Sequence, residues 1–262
     1  MVAQEVLAIL ADDPNSLGRL EQTIRHDPSL ASQLLKVANC AAYAPQAPVD
    51  TVHRAIVYLG FMEVRNVALG LAIYSIFRPG RTVPDFDVHA FWTHSMATAI
   101  VARLLAVEVG EEQTEVLFTA GLLHDIGRLA LNACFPEDWS HILKEAKAND
   151  LPLLLAERRA GLPHTLLGGW LAKSWGLPRP YVNSVAGHHL APSHPRWTRI
   201  CGIVQLADHV CHNTQMGLFP GPPLQETPLV HSLGLTADSI HSLQEQISLM
   251  EGIAETVSEI LG

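Results

Sequence analysis

The chain has 262 residues, of which 48% are hydrophobic and 16% charged, the latter below the roughly 25% usual in globular chains. Composition this apolar excludes disorder over most of the length, and the chain is long enough for one large domain or two lobes with a real core. A net charge of −9 argues against bulk binding to nucleic acid or an anionic membrane, but leaves room for a small phosphate ligand held by a metal or an arginine.

The periodicity is helical nearly throughout, and no segment alternates apolar and polar residues with β-branched enrichment, so the expected fold class is all-α. A first helix is expected over about 2–10 and a second over 16–25. Asp27 followed by Pro28 marks a helix start, because Asp caps and Pro at the first position loses no needed N–H. That helix carries Leu30, Leu34, Leu35 and Val37 and ends near Asn39. A loop broken by Pro45 and Pro48 follows. Asp50 or Thr51 then caps a helix that stops at Gly60, and 61–77 forms a further, strongly apolar helix. The segment 78–87 contains Pro and Gly and is the expected lobe boundary, giving a two-lobed helical bundle. Beyond it, helices are expected at 88–109, 114–124, 137–149, 152–159, 164–175, 179–190 and 197–213. The Pro-rich stretch 217–235 reads as a linker, and an amphipathic helix over about 237–261 closes the chain.

The longest strongly apolar run, Val67 to Phe77, falls short of the roughly 18–20 residues that span a bilayer, so no membrane segment is expected. The N-terminus has no basic residue before its apolar stretch and does not read as a secretory signal. The four cysteines form no C-x-x-C pair and read as reduced, mostly buried thiols, which points to a cytoplasmic protein. Phosphate loops of the G-x-x-x-x-G-K and G-x-G-x-x-G types are absent, as is the G-x-S-x-G nucleophile motif.

The 14 histidines are the unusual feature. The strongest local signal is GLLHDIGRLAL, where His124 and Asp125 sit side by side in an apolar helix end. Burying such a pair without partners costs several kcal/mol, and adjacent imidazole and carboxylate can bind one ion or bridge two. The same dipeptide at His26-Asp27 is explained by capping and is given no metal role. His124-Asp125 has company: His94 among apolar residues, His164 after Pro163, the tandem pair His188-His189, and Asp208 in the apolar run CGIVQLADHV. Ligands from separate helices facing a common interior are how helical bundles build dinuclear sites. His212, His231 and His241 read as surface.

This ordered set resembles the HD superfamily of metal-dependent phosphohydrolases. The first half, with Asp27-Pro28, Leu30, Leu34-Leu35, Asn39, Tyr43, Ala55-Ile56, Leu59-Gly60 and Asn66, is similar to the HDOD family, the HD-related output domain. The segments FWTHS, GLLHDIGRLAL and HTLLGGWLAKSWGLPRPYVNSVAGHHLAP extend the likeness to about residues 6–213. The resemblance implies a bacterial signalling domain with an N-terminal helical lobe over 1–80 and an HD-like metal-binding lobe over 81–214. A Pro/Gly-rich linker and C-terminal helix would occupy 215–262. It also implies His94, His124, Asp125, His164, His188, His189 and Asp208 as metal ligands, with Asp125 bridging, and two divalent transition ions. His-rich ligation suits iron or manganese, with zinc and nickel as alternatives.

Two departures stand out. The Gly-Tyr-Pro loop of the HD-GYP branch is missing after the His-His pair, and Ala90 stands where some relatives place a Glu, which argues against a third metal. Arg128 stands where a Lys often follows the His-Asp-x-Gly element. It is either a phosphate clamp beside a catalytic Asp125 or a solvated residue at a helix end.

Three readings follow. The chain is a metal-dependent phosphohydrolase acting on a phosphate-containing small molecule or nucleotide, its general acid being the unused histidine of the 188–189 pair or His209. Alternatively, it is a non-catalytic output module in which metal or nucleotide binding regulates contact with a signalling protein, through the N-terminal lobe or the C-terminal helix. In the third, the histidines merely satisfy one another in a polar core.

Overall fold

The computed structural model describes residues 2–9, 15–40, 43–77, 83–212, 228–236 and 239. The described residues are helical with no strand among them, and they fall into two compact units, one within Met1–Arg78 and one within Pro79–Glu251.

The first unit comprises α1 (Val2–Ala8), α2 (Ser16–Arg25), α3 (Pro28–Ala38), α4 (Val52–Leu59) and α5 (Phe61–Ile76). Its local signals act as their chemistry dictates. The Asp27 side chain accepts from the backbone N–H groups of Ser29 and Leu30, and Thr51 accepts from that of Arg54. The Asn39 amide donates to the carbonyls of Leu35 and Val49 and accepts from the Val49 N–H, so one side chain pins the Pro-containing loop against the end of α3. Gly60, at φ +90°, makes the break between α4 and α5 that a side chain would strain. From Val64 to Ile73, α5 is buried on every side, which explains its lack of a polar face.

The second unit comprises α6 (Val88–Glu108), α7 (Thr114–Leu123), α8 (Ile126–Cys134), α9 (Pro136–Ala148) and α10 (Leu153–Arg159). It continues with α11 (His164–Ser174), α12 (Arg179–Gly187), α13 (Arg199–His212) and α14 (Pro228–Leu233). By length and composition α6 could cross a membrane, yet 72% of its most apolar window is buried inside the protein, as in a core helix. Close helix approach is set by glycines. A Cβ at Gly121 would lie 2.8 Å from the Ala99 Cα, so Gly121 lets α7 press onto α6. A Cβ at Gly127 would lie 1.9 Å from the His164 carbonyl oxygen, so Gly127 lets α8 press onto α11.

The structure corrects three expectations. The helix carrying His124 and Asp125 does not simply end: the chain turns at these two residues and resumes as α8, a helix that the expected elements at 114–124 and 137–149 left out. The stretch 217–235 contains the helix α14, whose Leu229, Val230 and Leu233 are buried. The thiols divide rather than being mostly buried: Cys201 and Cys211 are buried, Cys40 is half-buried and Cys134 is exposed. The expected helix over 237–261 lies outside the described residues apart from Ser239, as does the linker over 215–227.

Candidate metal centre

All seven expected ligand positions lie in the second unit. His94 projects from the middle of α6, Asp208 from α13, and His164 is the first residue of α11. His124 and Asp125 occupy the turn between α7 and α8, and His188-His189 lie just past the end of α12. Placing ligands at helix ends and turns lets side chains from five directions point to one interior.

The ligand atoms form overlapping groups. Asp125, His164, His188 and His189 each offer an atom within 4.8 Å of the others. His94, His124 and Asp125 form a second such group, and His94, Asp208 and His212 a third. Asp125 faces both ways. Its Oδ1 lies 3.1 Å from His164 Nε2 and 3.6 Å from His188 Nε2, while its Oδ2 lies 3.5 Å from His124 Nε2.

Hydrogen bonds behind the rings fix their tautomers. His124 Nδ1 lies 2.7 Å from the Gly121 carbonyl, and His188 Nδ1 lies 3.2 Å from the carbonyls of Ser184 and Val185. A carbonyl only accepts, so each Nδ1 carries a hydrogen and, in the neutral ring, each Nε2 turns a lone pair inward. His164 Nδ1 donates to Glu157 Oε2, so when the ring gives up its second proton its Nε2 bares the same inward lone pair.

The result is a set of donors facing one another. The Nε2 atoms of His164 and His188 are 3.3 Å apart. Among the described residues, His124 Nε2, Asp125 Oδ1 and His189 Nε2 are sealed from solvent without a hydrogen-bond partner. Buried lone pairs aimed at each other are costly unless a proton or a metal ion lies between them. The side chains therefore fit a divalent transition ion: imidazole nitrogens and carboxylate oxygens are the donors such ions take.

Glu157 was not among the expected site residues. It is fully buried on α10 and accepts from the His164 backbone N–H, from His164 Nδ1 and from Arg128 Nε. Arg128 is 4% exposed, so it is not a solvated surface residue; its Nη1 donates to Asp125 Oδ2 and its Nε to Glu157. Both nitrogens are thus committed to carboxylates that orient the centre. His212 corrects a second expectation. Far from lying free on the surface, it holds its Nε2 3.0 Å from Asp208 Oδ1 and stacks on His94. Its position, one helical turn after Asp208, was the sequence signal that could have found it. His231 is exposed, His209 belongs to none of the three groups, and His241 lies outside the described residues.

The electrostatics match this order. Burial opposes ionising Asp125, but Arg128, then His124 and His164, outweigh it and hold its carboxyl well below the usual range. Asp208 is likewise held well below it, against burial, by the imidazoles of His124, His212 and His94 gathered around it. Burial pushes His94, His188 and His189 down, keeping them neutral and able to donate lone pairs. His164 and His124 go the other way: burial would lower both, but the Glu157 carboxylate raises His164 to about 9 and the Asp125 carboxylate raises His124.

The family pattern described as the HDOD domain matches residues 1–191, a span that ends before Asp208 and His212. An uncharacterized protein from Treponema pallidum (strain Nichols) is 25% identical over 195 residues, covering 73% of this chain. The chain spans 37% of the length of that curated relative. In a crystal structure, an HDOD domain protein of unknown function from Geobacter sulfurreducens superposes with a TM-score of 0.84 at 24% identity, over 99% of this chain and 91% of its own. A protein from Shewanella amazonensis, described as a candidate phosphohydrolase, gives 0.79 at 23% identity over 100% and 93%. At these identities the two structures establish the fold.

Proposed function

This chain belongs to the HDOD family, and from that premise we propose that its second unit binds divalent transition metal, two ions when fully loaded, and hydrolyses a phosphoester in a small molecule or nucleotide. The observation that carries the reading is the mutual facing of His164 Nε2, His188 Nε2 and Asp125 Oδ1, three buried ligand atoms that a metal ion would satisfy together. The resemblance of the fold to a candidate phosphohydrolase supports the choice of reaction.

Asp125, His164, His188 and His189 would hold one ion, and His94, His124 and Asp208 the other, with Asp125 reaching both. Such ions supply Lewis acidity, polarising phosphoryl oxygens and making water nucleophilic near neutral pH. The chain's own contribution is preorganisation. Arg128 keeps Asp125 ionised and aimed, Glu157 fixes the His164 ring, and backbone carbonyls fix His124 and His188. Iron or manganese fits the mixed nitrogen and oxygen donors, with zinc and nickel as further candidates.

A second reading is favoured by the burial of the site. The side chains of His94, His124, Asp125, His164 and Asp208 are at most 7% exposed. A sealed centre suits a module in which metal occupancy sets the shape presented to a signalling protein.

Metal analysis of the protein purified without chelator, beside the isosteric Asp125→Asn variant, tests the shared premise. Bound transition metal in wild type and its loss in the variant is expected; equal retention would sink the assignment. Turnover of generic phosphodiesters and nucleotides by the loaded protein is expected under the first reading. Its failure across such a panel would leave the second.

A further inference from the structure

Three imidazoles converge on a single oxygen of Asp208. His94 Nε2 and His212 Nε2 each lie 3.0 Å from Oδ1, and His124 Nε2 lies 3.6 Å from it. The His94 and His212 rings stack at 4.6 Å and 27°, so the two nitrogens approach the oxygen side by side. An oxygen with two lone pairs can accept from His94 and His212, but not from all three. A neutral His124 has no hydrogen to give there. Its Nδ1 hydrogen is committed to the Gly121 carbonyl, so in the neutral ring its Nε2 faces Asp208 lone pair to lone pair, sealed and without a hydrogen-bond partner among the described residues.

Resting on the metal-centre reading above, we propose that His212 is a metal ligand that completes a three-imidazole, one-carboxylate subsite with His94, His124 and Asp208. The subsite lies where α6, α13 and the α7–α8 turn meet, at the opposite end of the centre from His164, His188 and His189. The helix supplies the spacing: Asp208 and His212 are four residues apart on α13, so both project from one face toward His94. The same logic lets two histidines four apart on a helix share a zinc ion. His94, Asp208 and His212 already hold ligand atoms within 4.8 Å of each other, close enough for one ion at ordinary bond lengths.

His212 also differs from the other three in exposure. Its side chain is 16% exposed, against 0% for His94 and His124 and 7% for Asp208. It is therefore the ligand on the solvent side, and ion entry and loss at this end pass beside it. Beside the shared Asp125, these four donors bring the subsite to the filled coordination of tightly retained ions, whereas removing His212 opens a position.

Cobalt(II) loading of the full chain tests this, because its visible absorption reports ligand number and type. Wild type, His212→Ala and His212→Gln would be loaded, dialysed and assayed for bound cobalt, for absorption and for the rate of extraction by a chelator, with helicity checked in each. Both variants are expected to fall from about two ions per chain toward about one. The ion at this end should be extracted roughly 10–100-fold faster, since losing even a supporting partner of a ligand costs that much affinity. Gln retains a hydrogen-bond donor for Asp208, so full cobalt retention in His212→Gln with loss in His212→Ala would reduce His212 to a hydrogen-bond partner and overturn the proposal. Unchanged content, spectrum and extraction rate in both variants would overturn it while leaving the metal centre intact. No cobalt in wild type would overturn both.

Discussion

Glu157→Gln is the most informative single change outside the ligands. Glu157 accepts three hydrogen bonds in complete burial: Oε2 takes the His164 backbone N–H, at 3.0 Å, and His164 Nδ1, while Oε1 takes Arg128 Nε, at 3.1 Å. Glutamine keeps one accepting oxygen and turns an amide donor against either Arg128 or His164. A hydrogen bond to a charged group is worth about 1.5–3 kcal/mol, so the metal-free variant should lose about that much stability.

The loss should depend on pH. The folded His164 pKa is raised from 6.5 to about 9, so its contribution is fully present below 6.5 and disappears as pH rises through about 9. Against burial, His164 and Arg128 depress the Glu157 carboxyl below its ordinary 4.5, so its contribution is present above 4.5 and fades as pH falls below that value. The two overlap between 4.5 and 6.5, where the penalty should be largest, shrinking toward pH 9. Urea unfolding of chelator-stripped wild type and variant across this range measures it. Metal affinity provides a second readout: without the carboxylate behind it His164 is a poorer donor, and affinity should fall roughly 10–100-fold. A penalty that is flat with pH, together with unchanged metal affinity, would show that Glu157 only fills space.

Two further outcomes test the packing behind the site. Gly127→Ala would place a methyl 1.9 Å from the His164 carbonyl oxygen, so α11 must move; a loss of about 1–3 kcal/mol in thermal unfolding is expected, along with weaker metal retention. Gly18→Ala on α2, whose Cβ meets nothing within 4 Å, should instead stabilise by about 0.5–1 kcal/mol, and equal effects of the two substitutions would contradict the close-approach argument. A thiol reagent should modify Cys134 rapidly in the native protein but reach Cys201 and Cys211 only on unfolding, since both are buried and burial also pushes the Cys211 thiol up. Rapid modification of all four cysteines in the folded state would contradict that packing.

What the sequence determined by itself was whatever depends on neighbours along the chain. Asp27-Pro28, Thr51 and Gly60 punctuate the first unit because caps and positive-φ glycines act within a few residues. The three-and-four spacing of apolar residues marked most helices, and the clustering of histidine and aspartate in apolar surroundings marked where chemistry was to be sought. The tertiary structure decided what depends on residues far apart. Arg128 reads equally well as a surface residue or a phosphate clamp until Asp125 and Glu157 close around it. Glu157 looks like any charge in LLLAERR, because its partners are brought to it only by folding. Just past the turn at His124-Asp125, Gly127 presses on His164, a contact between segments that no local periodicity encodes. Even His212, whose spacing from Asp208 was legible, acquired a role only when α13 laid it against His94 on α6. Burial and lone-pair direction, which set whether these side chains can hold an ion, are properties of the packed interior alone.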